Sequence, residues 1–530
     1  MKRTGKRYRT GRAAEHYDVI VVGSGMSGLT TAALLSKVGQ KVCVLEQHYT
    51  AGGLTHSYEN NGYEWDVGVH YIGEVHKPHS PIRKLFDVIS DQQLKWAPMD
   101  DVYDRVIIGG TSYDLVRGRD NFKANLKKHF PDDAQAIDAY VALVDKVAKA
   151  SPLVFMDKAI PKLLSHVYTR FKSRILPREA MMQTQTVLEE LTSNPELIGV
   201  LAAQWGDYGT PPQESPFFMH AMLVKHFFGG GNFPVGGAWK IADTIIPVIR
   251  ASGGEVFTYA RVAEILIENK RAVGVRLDNG DVLRADKVVS ACDVRLTFEK
   301  LLSPNIQQQY GFAKKLKQVA PSKGYLNLFA GFKGTAEELN LPKTNLWVYP
   351  SADHGGNIAR HEADSDNEFP VLYISFPSAK DPEWDQHYLG KSTVEVVVPS
   401  SMSFDQWTGT TWNQRGEDYE AVKAQLSERI LDALYHHVPQ LRGKLDYSEL
   451  STPLSTIWFQ NNTYGEIYGL DHTVDRFKQD WLRPQTPIKG LYLTGQDILT
   501  AGVTGALMSG LLTTVVMQGL GAHKVLKLLK

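Results

Sequence analysis

One segment near the start of the chain narrows its fold more than any other. Residues 18–46 read DVIVVGSGMSGLTTAALLSKVGQKVCVLE. An apolar run, Val19 to Val22, meets Gly23-x-Gly25-x-x-Gly28. A helical pattern follows, then a second apolar run, Val42 to Leu45, ending in Glu46. Strand, tight turn, helix and strand within about thirty residues make the βαβ unit that binds dinucleotides. Gly23 allows the turn, Gly25 lets the backbone approach a pyrophosphate, and Gly28 lets the helix pack on the strand. The helix N-terminus, with Ser24, Met26 and Ser27, then holds phosphates through free N–H groups and the helix dipole. Glu46 lies 18 residues past Gly28, where a carboxylate accepts hydrogen bonds from a ribose hydroxyl, with Gln47 beside it.

The doublet Gly52-Gly53, followed by Leu54, comes six residues after Glu46. A domain serving NAD alone needs no such element there. In two-dinucleotide-binding flavoproteins a Gly-Gly loop lies against FAD at this point. Near the other end, residues 488–510 read IKGLYLTGQDILTAGVTGALMSG. A strand runs into Gly495-x-Asp497, and a helix follows through Val503, Thr504, Gly505 and Ala506. Such flavoproteins hold the ribityl chain, pyrophosphate and flavin ring with a second turn and helix of this kind. The two pieces make sense together as one FAD site.

With these motifs the chain resembles the retinol saturase and carotenoid isomerase branch of the phytoene-desaturase-like FAD oxidoreductases. The resemblance runs from about Tyr17 to Gly521 and is carried by LEQHYTAGG (45–53), WDVGVHYIG (65–73), FPVGG (233–237), VVSACD (288–293), FPSAKDP (376–382) and LYLTGQDI (491–498). It implies a flavoprotein acting on polyene or unsaturated lipids. It also implies that Gly23, Gly25, Gly28, Glu46, Gly52, Gly53, Gly495, Asp497, Gly505 and Ala506 contact FAD, with Val262 doing so through its backbone at the adenine. Many relatives carry an arginine beside the glycine doublet. Here the neighbours are Ala51 and Leu54, so that role has no counterpart.

Length 530 suggests two or three domains. Lys+Arg and Asp+Glu are both 58, a balance that argues against a nucleic-acid protein. The two cysteines, Cys43 and Cys292, sit in apolar runs that read as core strands. No disulfide framework is expected, and a reducing, cytoplasmic setting is. The first twelve residues carry six basic side chains, and no apolar signal segment follows before Tyr17. Residues 1–14 read as a disordered basic arm. Ile498 to Ala522 is uncharged and long enough to span a membrane, but it holds five glycines and begins inside the FAD motif. A buried helix under the flavin explains it better.

The expected fold is α/β. Residues 15–75, 233–300 and 471–523 should form a discontinuous Rossmann-type FAD domain. Residues 76–232 and 301–470 should form an α+β substrate domain. Asp278-Asn279-Gly280 predicts a hairpin between two strands of the middle piece. Residues 158–178, KAIPKLLSHVYTRFKSRILPR, place apolar residues at Ile160, Leu163, Leu164, Val167, Tyr168, Phe171 and Ile175, with six basic residues and no acids. That pattern fits a basic amphipathic helix laid on an anionic membrane to collect a lipid. The alternative is an ordinary surface helix.

The chemistry needs flavin N5 against a substrate carbon, a tunnel that excludes water, and, for saturation or desaturation, an acid or base across the substrate. The proton carriers proposed are His70, Tyr71 and Glu74 in DVGVHYIGE, and Tyr464 in NNTYGEIYG. Tyr208, His220 and Tyr468 are weaker choices. No nucleophilic triad or metal-binding spacing stands out. GGGNFPVGG (229–237) reads as a crossover and not as a second nucleotide site. The electron carrier is therefore left open between NAD(P)H, a quinone, a ferredoxin and another protein. Three functions remain: a flavin-dependent saturase or desaturase of a retinoid, carotenoid or fatty acid, a redox-neutral polyene or fatty-acid isomerase, and a lipid-binding module of the Rab GDP-dissociation-inhibitor type. An amine oxidase would need an aromatic pair before the flavin, for which Trp458 and Tyr464 are the available residues.

Overall fold

The computed structural model describes residues 3–160, 165, 168, 171–172 and 174–530. The aliphatic run in His16–Val22 makes a strand buried on both faces, as a central strand of a parallel sheet must be. Val42–Leu45 and Val282–Ser290 flank it, both parallel. The sheet runs in the order Lys6–Arg7, Glu255–Thr258, Val42–Leu45, His16–Val22, Val282–Ser290, Arg271–Leu277, Val262–Glu268. Val282–Ser290 takes two partners on its outer edge. Its first residues pair antiparallel with Arg271–Leu277 across the hairpin expected at Asp278-Asn279-Gly280. Its last three pair parallel with Leu491–Leu493. That short pairing brings the C-terminal motif beside the N-terminal one.

Strand side chains alternate between two cores. Val19 and Val21 face the helices Met26–Lys37, Lys240–Ala251 and Gly502–Gln518. Ile20 and Val22 face a layer built on Leu296, Phe298 and Phe312. Helix Gly502–Gln518 crosses Met26–Lys37 so closely that a Cβ on Gly510 would lie 2.6 Å from Thr30 Cβ. Continued by residues 519–528, it is long and apolar enough to cross a membrane by composition. Its buried residues, among them Leu507, Thr513 and Met517, pack within the protein.

A second sheet has the order Leu445–Ser451, Tyr325–Lys333, Lys391–Pro399, Leu372–Ser375, Asn345–Tyr349, Val102–Ile108, Thr111–Val116. All pairs are antiparallel except Asn345–Tyr349 with Val102–Ile108. Leu326, Leu328 and Ala330 pack under the long helix Glu417–His437. Their alternates Tyr325, Asn327 and Phe329 face the cavity between the sheets. Helices Ala134–Ala150, Pro195–Ala202 and Phe217–Phe227 share a further core with strand Val102–Ile108.

Several expectations change. The basic arm is not disordered over its described length: Lys6–Arg7 is an edge strand on Glu255–Thr258. Thr4 is buried and donates to Ala51 O at 2.8 Å, and Tyr8 donates to Asp281 at 2.8 Å. The hairpin Ser57–Asn60/Tyr63–Asp66 leaves the first sheet and packs Tyr63 and Trp65 against Phe329 of the second. Cys43 lies in a core strand, but Cys292 follows the end of Val282–Ser290 and sits in the cavity wall. GGGNFPVGG forms a short strand, Asn232–Pro234, paired with Trp96–Pro98. No single helix spans 158–178. Helix Pro152–Ala159 ends where Ile160 turns extended, and Lys158 is buried in its last turn with Nζ donating to Ile498 O at 2.7 Å. Residues 161–164, 166, 167, 169, 170 and 173, which include Leu163, Leu164 and Val167 of that apolar pattern, lie outside the described residues.

Candidate active site

One cavity of about 1280 Å³ runs between the two sheets. A typical small-ligand site occupies roughly 300–1,000 Å³, so this one has room for two ligands in series. Its first half is built by the glycine motifs. Of the eighteen residues expected to hold the cofactor, all but Gly28 line it. Gly28 acts from behind: a Cβ there would lie 2.2 Å from Gly23 O, so only glycine lets the helix sit on the turn. Gly23 itself has φ +98°. A Cβ on Gly25 would meet nothing within 4 Å, and it is the N-cap of helix Met26–Lys37 with no side-chain cap. The first N–H groups of that helix thus face open space, which suits a phosphate. The doublet closes onto this loop, since a Cβ on Gly53 would be 2.8 Å from Gly25 Cα.

Glu46 is pre-oriented. Its Oε2 accepts from Ser24 N at 2.9 Å and Ser24 Oγ at 2.7 Å, and Oε1 accepts from His48 N at 2.9 Å. A carboxylate has about four acceptor positions, so one is left for a ribose hydroxyl. Gln47 donates to Phe459 O at 3.1 Å, tying the strand end to the lip of the cavity. Asp497 is almost fully buried. Its Oδ1 accepts from Leu470 N at 2.8 Å and its Oδ2 from Val294 N at 2.9 Å. It therefore locks two loops together as well as facing the cavity. Helix Gly502–Gln518 also lacks a side-chain cap and points its N-terminus into the cavity through Val503, Thr504 and Gly505. Two uncapped helix ends, an open glycine and a ribose-ready carboxylate fit an extended dinucleotide. Burial pushes the Cys292 thiol up to about 12, which makes it an inert wall residue.

The second half is aromatic and aliphatic. Tyr325, Trp347, Tyr373 and Tyr468 form one wall, and Phe155, Met219, Leu223 and Leu512 another. Met156, 48% exposed, stands at its rim. The proposed proton carriers separate here. His70, Tyr71 and Glu74 line the cavity. Burial, with Lys380 nearby, pulls the His70 imidazole down to about 3, so it stays neutral. Its Nδ1 lies 3.2 Å from Glu395 Oε2 without hydrogen-bond alignment. Glu74 has φ +63° and is paired with Lys77 at 2.5 Å. Tyr464 is 55% exposed, stacks near Arg295 and is absent from the cavity wall, as is Trp458 at 47% exposed. The amine-oxidase-like aromatic pair is thus not formed by these two residues. His220 is a core residue paired with Tyr140 at 2.9 Å. Tyr208 and Tyr468 line the cavity, but their hydroxyls are engaged with Ser215 and Gly206 O.

Tyr71 is placed differently. Its Oη lies 2.9 Å from Asp104 Oδ2 and 2.9 Å from Asp207 Oδ2. Asp104 also accepts from Gln204 at 2.8 Å and Asn345 at 3.0 Å. Asn345 in turn accepts from Lys380, whose Nζ also donates to His70 O at 2.9 Å and Ser375 at 2.7 Å. Burial pulls the Lys380 ammonium down to about 7 and pushes the Glu395 carboxyl up to about 8. Asp104, Asp207, Lys380 and Glu395 escape sequence reasoning because they come from four different segments. The local signals were Asp207 standing next to Tyr208 in QWGDYGT and Lys380 inside FPSAKDP.

A family model described as flavin containing amine oxidoreductase matches residues 26–517. All-trans-retinol 13,14-reductase from Danio rerio is 36% identical over 97% of this chain and 88% of its own length. Prolycopene isomerase 2, chloroplastic, from an Oncidium hybrid cultivar is 25% identical over 94% of this chain and 83% of its own. A crystal structure of an oxidoreductase from Methanosarcina mazei superposes with TM-score 0.61 at 18% identity, covering 93% of this chain and 98% of that one. The last likeness shows the fold. The glycine-lined half of the cavity and the family match agree on the cofactor, which is FAD. The chain belongs to the flavin containing amine oxidoreductase family, in the branch of the all-trans-retinol 13,14-reductases, and is an FAD-dependent oxidoreductase.

Proposed function

We propose that this protein reduces a carbon–carbon double bond of a polyene lipid, a retinoid being the first candidate. The observation that carries the reading is the large cavity between the sheets, whose glycine-lined half fits FAD and whose other half is walled by aromatic and aliphatic side chains. An apolar chamber beside a flavin binds a long unsaturated chain by area removed from water, at about 25 cal/mol per Å². The resemblance to retinol 13,14-reductase supports saturation, and the more distant prolycopene isomerases supply the redox-neutral alternative. Gly25, the helix N-termini, Glu46 and Asp497 would hold the cofactor, which when bound supplies a hydride donor at N5. The protein's share is to place the lipid, exclude water and provide a proton.

The lipid enters from a membrane surface in this reading. Met156, Phe171 and Ile175 are 48%, 57% and 43% exposed, and Lys172 and Arg174 lie among them in sequence. Exposed apolar residues among cations fit an anionic interface. The test is incubation of flavin-loaded protein and a chemical reductant with retinoids, carotenoids and unsaturated fatty acids, read by lipid mass. A product two mass units heavier supports the reductase. A shifted product of unchanged mass establishes the isomerase instead.

A further inference from the structure

Resting on the reductase reading, we propose that Asp207 is the acid that protonates the substrate carbon, held neutral in the cavity wall by Tyr71 and Asp104. Tyr71 Oη lies 2.9 Å from one oxygen of each aspartate, and a hydroxyl brings one hydrogen to two such contacts. The second contact needs a proton on a carboxyl. Asp104 is fully buried and accepts from Gln204 and Asn345 as well as Tyr71. Burial raises its carboxyl to about 6, and the three donors hold it there, so near neutral pH Asp104 is the anion. Asp207 has Tyr71 as its one hydrogen-bond partner among the described residues, and it faces the anion of Asp104. Burial, reinforced by that like charge, raises its carboxyl well above the usual range. The proton therefore rests on Asp207. Its Oδ2 side donates to Tyr71 Oη, and Tyr71 donates to Asp104.

Position separates Asp207, which is partly buried, from the fully buried titratable groups. Lys380 and Glu395 do not reach the cavity wall. His70 is neutral, and Glu74 is paired with Lys77. Asp293 lines the cavity, but it sits beside Asp497 among the cofactor loops. Asp207 lies beside Gly206 and Tyr208 in the aromatic half. The step balances. The carbon–carbon π bond would break, one carbon taking the hydride that reduced flavin supplies when bound and the other taking the Asp207 proton, whose hydrogen bond to Tyr71 Oη is given up as it leaves. Asp207 is left as a carboxylate and regains its proton from solvent. A two-electron donor from outside the protein would be needed to restore reduced flavin. Asp207 is the catalytic residue here, and Tyr71 and Asp104 are positioning residues.

The experiment uses flavin-loaded full-length protein and two readouts. The first is the infrared carbonyl stretch of protonated carboxyl groups in H₂O and D₂O. Wild type should show a band that Asp207→Asn removes and that Tyr71→Phe shifts, because its hydrogen-bond partner is lost. The second is the rate at which retinol, or whichever lipid the panel identifies, reoxidises the reduced flavin. Asp207→Asn should slow it about 100-fold, in line with loss of a general acid, and Asp207→Glu should restore part of the rate. Equal flavin content and lipid binding in these variants show that the site is folded. An unchanged infrared band in Asp207→Asn, or an unchanged rate, overturns the proposal. If wild type reduces no lipid, the reductase reading falls and the transfer with it. The band then decides separately whether Asp207 carries a proton.

Discussion

Gly25 and Asp497 show how single residues would divide the work of holding FAD in the proposed site. Gly25 faces open space, so a side chain there costs the apo fold little and the cofactor much. Gly25→Trp should lower flavin occupancy by more than about tenfold, or about 1.4 kcal/mol, while the apoprotein's circular dichroism stays unchanged. Normal flavin content would show that the pyrophosphate does not pass there. Asp497 is the reverse case. Each of its oxygens satisfies a buried backbone N–H, so Asp497→Asn leaves one of them without an acceptor. That should cost about 1–3 kcal/mol of stability in urea unfolding, beyond any loss of flavin. A variant with wild-type stability would mean the two loops do not depend on it. The glycine turns and the place of Glu46 at its strand end were legible because each is set by residues close in sequence. Asp207 and Asp104 were not, because their meaning comes from Tyr71, and no spacing announces a contact between residues 71, 104 and 207.

Among elements, helix Gly502–Gln518 carries most consequences. It touches the cavity on one side and helix Met26–Lys37 on the other, with Gly510 against Thr30 and Ser27 O. Gly510→Val would force these helices apart, at about 1–3 kcal/mol, and should loosen both nucleotide-binding ends together. Differential scanning with and without added FAD measures both effects, and an unchanged midpoint would deny the close crossing. The stretch Met156 to Ile175 makes a different prediction. Replacing Met156, Phe171 and Ile175 with Glu should weaken pelleting with anionic vesicles and leave flavin content untouched. Undiminished pelleting would make this an ordinary surface. The sequence pattern suggested one helix over 158–178, but a period in apolar residues does not show where a helix stops. Ile160 is extended, and Lys158 turns inward to cap a carbonyl of the loop before Gly502. The arm at the N-terminus misled for a related reason. Its basic side chains face outward while Thr4 and Tyr8 anchor it, and a high charge count hides two buried anchors.

For the molecule as a whole, the parallel strands and their glycine turns stood out in the sequence, whereas the second sheet did not. Its strands come from 102–116, 325–399 and 445–451, and their order depends on long-range pairing. The cavity arises where the two sheets meet, so its size and aromatic wall had no local signature. The same burial sets an acid limit on the fold. His220 and His354 lie in the core, each with an unpartnered Nδ1, and burial lowers both from 6.5 to about 4. A depressed folded pKa gives stability that is complete above 6.5 and lost as pH falls through 4, about 3 kcal/mol for each group. Urea midpoints should therefore drop steeply from pH 6.5 to 4, and His220→Gln should reduce the slope by about one proton. A flat profile would place charged imidazoles in the core.

The most direct measurement is a single turnover without oxygen. The bound FAD is reduced in the absence of free donor, one equivalent of polyene lipid is added, and flavin absorbance and lipid mass are followed together. The account predicts that oxidised flavin returns in step with a lipid two mass units heavier, one molecule for each flavin. A flavin that stays reduced, or returns without a saturated product, would contradict a shared cavity in which the two react.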